Sequence, residues 1–285
     1  MPQESAPTAI SHFDSTAAQY EASTGGSTRE LARLLLDIPQ LKSIYQPSAI
    51  VLDNACGTGI VAEEIVLRAH RTNSNAPKLY AVDPAPNMVE ISRKTLDALG
   101  ASETSSTAIM PGEKLEFQDE MFTHSITNLG ILFYTDGDAG AKEIYRTLKP
   151  GGVAVVTSWA VLGYLEVIHP AQSIVRPDDP PFKLPIPEKW FDSAHVEKCL
   201  RDGGFENVTV SEKVVHYGVS SAEGLMDLIL NSFKMIWKDW SEEDQNNFRR
   251  AVREKIDEAS SPYTMNDGSQ GVGVPMTAIV AVCQK

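Results

Sequence analysis

Cysteine is almost missing from this chain: Cys56, Cys199 and Cys283 are scattered over 285 residues. An odd number at such spacing gives neither a disulfide framework nor a zinc-binding pair. Positive charge is also short, with 25 lysines and arginines against 38 acids and a formal net charge of -13. Nucleic acids and anionic membranes are held by basic surface, so neither is an expected partner. No apolar run is long enough to cross a bilayer, and Met1-Pro2-Gln3-Glu4-Ser5-Ala6 has neither the basic nor the apolar region of a signal peptide. A cytoplasmic protein is expected. The apolar fraction of 42% is ordinary for a globular chain of this length. No repeat and no break in composition marks a second domain, so residues 1–285 read as one, with no signal of oligomeric state.

What is present centres on Ala49-Ile50-Val51-Leu52-Asp53-Asn54-Ala55-Cys56-Gly57-Thr58-Gly59-Ile60. Four apolar residues run into an acid and a glycine turn, and a helical pattern starts at once with Ile60, Val61, Ile65 and Val66. Glycine lets a ligand approach the backbone, and the carboxyl edge of a strand is where open α/β sheets hold ligands. The G-x-G-x-x-G and G-x-x-x-x-G-K-[ST] fingerprints of dinucleotide and phosphate sites cannot be written here. An acid beside the loop repels a pyrophosphate and suits an ammonium or sulfonium ligand, which points to S-adenosylmethionine (SAM). Cys56 has no activating base beside it and reads as a packing residue.

A second apolar run, Leu79-Tyr80-Ala81-Val82-Asp83, also ends in an acid, followed by Pro84-Ala85-Pro86-Asn87-Met88 and a helix through Leu99. A carboxylate there can accept both ribose hydroxyls of an adenosine. Before the first strand, helices are expected over Ile10–Tyr20 and Thr28–Ile38, with a mobile Thr24-Gly25-Gly26-Ser27-Thr28 between them. Ala108–Leu115 reads as a short strand breaking into a turn; further strands are expected at Phe122–Leu129, Gly151–Trp159, Phe205–Val210 extending toward His216, and Met276–Val282, and helices at Ala139–Leu148 and Ser193–Arg201. The capping box Ser220-x-x-Glu223 opens a helix reaching Trp237, and Ser241-x-x-Asp244 another. Strands alternating with helices predict an α/β fold, a Rossmann-like doubly wound seven-stranded sheet with N-terminal helices and a helical lid. The parts are a helical cap at 1–45, a core at 46–160, and insertions at 161–190 and 220–262 expected to cover a substrate.

These pieces together resemble the class I SAM-dependent methyltransferases. The carrying residues are Val51-Leu52-Asp53-x-Ala55-x-Gly57-Thr58-Gly59, Asp83, Gly112-Glu113-Lys114-Leu115, Leu148-Lys149-Pro150-Gly151-Gly152 and Leu200-x-x-Gly203-Gly204-Phe205. Within the class the chain is most similar to fungal natural-product methyltransferases, such as those that methylate the thiols of reduced gliotoxin; Val51 to Gly57 and Phe122-Thr123-His124 carry that narrower likeness. The resemblance implies that Asp53 and the loop Asn54, Ala55, Cys56, Gly57, Thr58 and Gly59 hold the methionine portion of SAM. It places Asp83 at the ribose, Pro84, Met88, Gly112 and Glu113 around the adenine, and Asn128 and Leu129 near the methyl sulfonium; in the first helix, either Phe13 and Tyr20 pack it onto the domain or Tyr20 covers the cofactor. Three departures stand out. Ala55 replaces the commonest first glycine, a mild change if its φ is negative. Pro111 stands where many relatives have an acid for the adenine amino group. His124 stands where the wider class often has aspartate, and its place early in a strand makes it structural.

The expected activity is methyl transfer from SAM to a thiol, hydroxyl or amine of a small molecule. A thiol needs little help to react, whereas a hydroxyl or protonated amine needs a base. No base is obvious, which tilts the reading to sulfur. Among His12, His169 and His195, His169 is the preferred candidate, since it follows the fifth strand in the expected lid. Trp159, Tyr164, Phe233 and Trp237 are candidate substrate-wall residues, and core packing explains each equally well. No metal is expected, because no acid cluster follows the fourth strand. The alternative is a methyltransferase-fold protein that uses bound SAM without transfer, in a cyclisation or rearrangement.

Overall fold

The computed structural model describes residues 8–285. The reading of Met1 to Ala6 therefore lies outside the described residues. The sheet is built on apolar runs: β1 (Ile50–Asn54), β2 (Lys78–Asp83), β3 (Ser105–Ile109), β4 (Phe122–Thr127) and β5 (Leu148–Val161) are parallel neighbours in the order β3-β2-β1-β4-β5. β6 (Asn207–Val219) and β8 (Gln270–Gln284) complete the order as β5-β8-β6, with β8 antiparallel to both its neighbours. The winding reverses between β1 and β4, because β2 and β3 are laid down on one side and β5 on the other. Open sheets of this topology carry a crevice at that reversal, beyond the carboxyl ends of the strands. Asp53 and Asp83 are the acid ends of two adjacent strands there.

The helices α4 (Ile60–Thr72), α5 (Pro86–Ala98), α6 (Gly137–Thr147) and α8 (Ser193–Asp202) connect these strands. An eighth strand, β7 (Ser261–Thr264), pairs antiparallel with β8. It has no apolar alternation and contains Pro262, which suits a sheet edge, so nothing in its composition announces a strand.

Three local expectations are corrected. The first helix is not continuous: α1 (Ala9–Thr16) gives way to a 3-10 turn at Ala17–Gln19 and one turn of helix, α2 (Tyr20–Ser23). The hydroxyls of Ser15 and Thr16 both bond the His12 carbonyl at 2.9 Å, the local competition that loosens helices rich in such residues. The Gly25-Gly26 turn is anchored, not mobile. The Gly218 N–H donates to the Gly25 carbonyl at 3.1 Å and Asn266 Nδ2 to the Gly26 carbonyl at 2.9 Å, so β6 and the β7–β8 loop both hold it. The third correction concerns the helix after β6, which is capped by Ser221, whose hydroxyl accepts from the Gly224 N–H, and not by Ser220. That helix, α9 (Ala222–Ser232), stops short of Trp237; a separate turn, α10 (Lys234–Trp237), follows. The Trp237 indole N–H donates to the Leu230 carbonyl at 3.2 Å and satisfies one of the groups left open at the end of α9.

α3 (Ser27–Leu36) buries Leu31, Ala32, Leu35 and Leu36 against the core. Its other face fixes it to α4 through charge. Glu64 is fully buried and accepts from Arg29 Nη1 and Arg33 Nη2, each at 2.9 Å, while Arg29 also bonds Glu21 and Glu63. Burial alone would raise the Glu64 carboxyl, but hydrogen bonds from Arg33 and Arg29 hold it below its ordinary value. α7 (Tyr164–Val175) and α11 (Glu242–Ala259) pack on one another and, with α9, form a helical layer beside the sheet.

Candidate active site

A cavity of about 240 Å³ lies at the carboxyl edge of β1, β2 and β4. Its floor is the loop after β1. Ala55, Gly57 and Gly59 have φ of 57°, 54° and 88°, three left-handed residues in five positions. For glycine this is free, but for Ala55 it costs about 1 kcal/mol. The condition for a mild change at Ala55, a negative φ, is not met, and the replacement of glycine there is a strained one. Leu129, which also lines the cavity, has φ 57°. Strain of this kind collects at ligand sites, where surrounding contacts hold it in place.

The two acids hold that loop in shape. Asp53 Oδ2 accepts the Ala62 N–H at 3.0 Å; Asp83 Oδ2 accepts the Gly57 N–H and its Oδ1 the Ala85 N–H, both at 2.9 Å. Burial pushes the Asp53 carboxyl up to about 7, with the Ala62 hydrogen bond opposing and the negative Asp83 adding to the rise. Asp83 is raised too, by burial, against the pull of the Ala85 and Gly57 amides. Two partly desolvated carboxylates facing one cavity attract a cation strongly. The cavity lining among the described residues holds no lysine, arginine or histidine to neutralise them.

Most of the residues expected at the cofactor converge here. Tyr20, Asp53, Ala55, Cys56, Gly57, Asp83, Pro84, Met88, Gly112, Glu113, Asn128 and Leu129 all line the cavity. Asn54, Thr58 and Gly59 do not. Asn54 is fully buried behind the loop, and Gly59 packs on Ser92, where an added Cβ would lie 2.9 Å from the serine Cβ. Tyr20 lies over the loop near Gly57, its phenol pushed up to about 12 by burial, then by Asp83 and Glu21. The Cys56 thiol is raised well above its ordinary value by burial, then by Asp53 and Asp83, which rules it out as a nucleophile.

The other expected residues stand elsewhere. His169 is separated from the cavity: it lines a shallow groove with Leu162, Leu165 and Phe191, and its Nε2 lies 2.8 Å from the Phe182 carbonyl. A ring nitrogen held by a carbonyl outside the cleft cannot take a proton from a substrate inside it. Tyr164 and Phe233 pack ring to ring at 4.8 Å, Trp237 is buried under Arg249, and Trp159 is buried on β5. All four belong to the packed interior, and the cavity lining takes no residue from 161–190 or 220–262. His124 is buried with Nε2 2.8 Å from the Ser43 hydroxyl and Nδ1 2.9 Å from that of Thr123; burial lowers it to about 4, so it stays neutral.

Several lining residues went unnoticed in the sequence. The far wall is Phe133 and Tyr134, after β4, and the roof is Thr8, Ala9, Ile10 and Phe13 of α1 and the residue before it. Phe13 meets Phe133 edge-on at 4.8 Å, and Asp14 accepts the Asn87 N–H at 2.7 Å, so α1 is pinned across the opening at two points. Thr157, mid-strand in β5, accepts the Leu129 N–H at 2.8 Å and donates to Asn128 Oδ1 at 3.0 Å. It thereby fixes the left-handed turn at the cavity floor. A hydroxyl inside the apolar run Val153 to Val156 was its only signal.

Comparison with known proteins bears on the same residues. A family model described as a methyltransferase domain matches residues 51–152. Methyltransferase tpcH of Aspergillus fumigatus is 23% identical over 256 residues, 85% of this chain and 87% of that protein. Methyltransferase ktnA of Aspergillus niger is 20% identical over 304 residues, 96% of each. Among solved structures the cyclase SpnF superposes with a TM-score of 0.56 at 17% identity, covering 98% of this chain and 97% of that one, a likeness of fold alone. Residues 51–152 match a methyltransferase domain and the strand order around them is that of the class I fold, so the chain is a SAM-dependent methyltransferase, an enzyme whose cofactor is SAM. It resembles methyltransferases of fungi. The cavity fits that cofactor: two buried carboxylates suit its positive charge, and the bare backbone at Gly57 lets it come close to the loop. Among the described residues, no group of three or more His, Cys, Asp or Glu is placed to hold a metal ion, and no helix is long and apolar enough to cross a membrane.

Proposed function

We propose that this enzyme methylates the thiol of a neutral, largely apolar small molecule. The observation that carries the reading is the absence of any histidine, lysine or arginine from the described lining: with Asp53, Asp83 and Glu113 taken up by the cofactor, no side-chain base is left for a hydroxyl or ammonium acceptor and no cation for an anionic one. A thiol of ordinary pKa near 8.5 ionises enough by itself near neutral pH to react. Its apolar surroundings would be Ile10, Phe13, Phe133 and Leu129, which exclude water.

In this reading Asp53 and the backbone of Ala55 to Gly59 hold the methionine end of the cofactor. Asp83 accepts from the ribose, Pro84, Met88, Gly112 and Glu113 surround the base, and Tyr20 covers the sulfonium. Asn128 and Leu129, fixed by Thr157, form the floor under the reacting atoms. When bound, SAM supplies a methyl group already activated by its positive sulfur. The chain's contribution is then alignment and dryness, and alignment alone contributes roughly 7–11 kcal/mol in favourable cases.

The test is incubation with methyl-labelled SAM and a panel of thiol, phenol and amine metabolites, followed by mass spectrometry. Label on sulfur supports the reading; label confined to oxygen or nitrogen overturns the sulfur assignment. A product isomeric with its substrate would establish cyclisation or rearrangement in place of transfer.

A further inference from the structure

Three buried polar atoms beside the cavity make no hydrogen bond of ordinary geometry: Tyr134 Oη, Asn54 Oδ1 and Asn54 Nδ2. They sit together against Gly112. A Cβ added there would overlap the tyrosine hydroxyl and lie 2.7 Å from Asn54 Oδ1. On its other side the Tyr134 ring lies in a slot opened by Gly140 of α6, where an added Cβ would come within 2.5 Å of Cε2. Two missing side chains thus admit one aromatic ring and bring its hydroxyl up to the Gly112 backbone. Gly112 and Tyr134 both line the cavity.

An unpaired buried hydroxyl or amide costs roughly 1–3 kcal/mol, and native structures contain few. Three in one cluster at the edge of a ligand cavity need a reason. Phenylalanine would fill the same slot without the cost, so packing does not supply one. Burial, then the negative charge of Asp83 and Glu113, raise the phenol while the adjacent Asn54 side chain pulls the other way, so it stays protonated, a hydrogen-bond donor with Asn54 beside it. The neighbouring wall position, Pro111, has no N–H and no polar side chain, so it offers a ligand nothing but its carbonyl.

We infer that the Tyr134 hydroxyl is the hydrogen-bond donor this cavity presents to the base of the bound nucleoside, with Asn54 as the positioning residue that aims it. The inference rests on the reading of the Gly112 wall as the base's surroundings. Gly112 has to be glycine because the wall must draw aside at that point for hydroxyl and base to meet. The bound nucleoside gives the Tyr134 hydroxyl its acceptor.

The test uses calorimetry and thermal melts of the full chain with two probes: S-adenosylhomocysteine, and 5′-methylthioadenosine, which has the nucleoside but no amino-acid end. Tyr134→Phe is expected to melt higher than the parent without ligand and to bind both probes about tenfold more weakly, the loss of one hydrogen bond. Because Asn54 acts through Tyr134, adding Asn54→Ala to Tyr134→Phe is expected to weaken binding no further, although Asn54→Ala alone weakens it. Unchanged affinity of Tyr134→Phe for both probes overturns the role of Tyr134. Additive losses in the double variant overturn the role of Asn54. A parent that binds neither probe overturns the underlying reading of the cavity, a result distinct from both.

Discussion

Asp53 gives the most demanding prediction, because its environment ties folding, ligand charge and pH together. Its carboxyl is lifted from 3.8 to about 7, first by burial. At about 1.4 kcal/mol per pH unit, that difference amounts to roughly 4 kcal/mol between the protonated and ionised forms. The folded state keeps the proton that the unfolded chain gives up near pH 4, so between about pH 4 and 7 the unfolded state binds fewer protons. Stability from this group is complete at the acid end, falls as pH rises through that window, and levels off above about pH 7. Asp53→Asn keeps an acceptor for the Ala62 N–H and has no charge to bury. Denaturant melts of parent and variant from pH 4 to 9 should converge at low pH and diverge by a few kcal/mol above pH 7, with the variant the more stable. SAM reverses the balance, since a cation beside the carboxylate lowers its pKa again. Below pH 7 the parent should therefore release a proton on binding, visible as a buffer-dependent calorimetric enthalpy, and Asp53→Asn should bind poorly at every pH. Parallel stability curves for parent and variant across the window would refute the burial argument.

Other consequences are simpler. Glu64→Gln leaves Arg29 and Arg33 facing a neutral group, which should cost about 3 kcal/mol in chemical denaturation at pH 7. The cost should shrink as the parent is acidified through the lowered Glu64 pKa, because the carboxylate's contribution is lost in that direction. Gly59→Ala forces a Cβ onto Ser92 at a φ of 88°, and about 3 kcal/mol of destabilisation is expected from strain and overlap; a variant as stable as the parent contradicts the loop geometry. His169→Ala should bind S-adenosylhomocysteine like the parent and, once an acceptor is in hand, turn over with an unchanged pH profile. A lost basic limb in that profile would restore His169 as a base.

The parts of this molecule that were legible in the sequence are those where one short stretch carries the whole signal. Val51-Leu52-Asp53 and Ala81-Val82-Asp83 announce buried strands with acid tips, and the glycine spacing after Asp53 announces a backbone-lined floor. What escaped depends on contacts between distant stretches. Tyr134 reads as one more apolar residue until Gly112 and Gly140 are seen on either side of its ring. Thr157 reads as a strand residue until its hydroxyl meets the turn at Asn128 and Leu129. The candidate wall residues Tyr164, Phe233 and Trp237 were drawn from composition alone, and the helical layer claimed them for its own packing. The roof came instead from Thr8 to Phe13, a short helix with no buried residue and therefore little periodicity to notice. Ala55 shows the converse: its identity was plain, but only the loop's hydrogen bonds, such as Cys56 N–H to the Val82 carbonyl at 2.9 Å, reveal that it must turn left-handed.

The account stands on Asp53 and Asp83 acting as two ends of one clamp on the cofactor. A crystal structure of the enzyme with S-adenosylhomocysteine tests this most directly. The amino-acid end is expected over the Ala55 to Gly59 backbone near Asp53, and the ribose hydroxyls on Asp83. A nucleoside bound outside this cavity, or within it with neither carboxylate in contact, would contradict it.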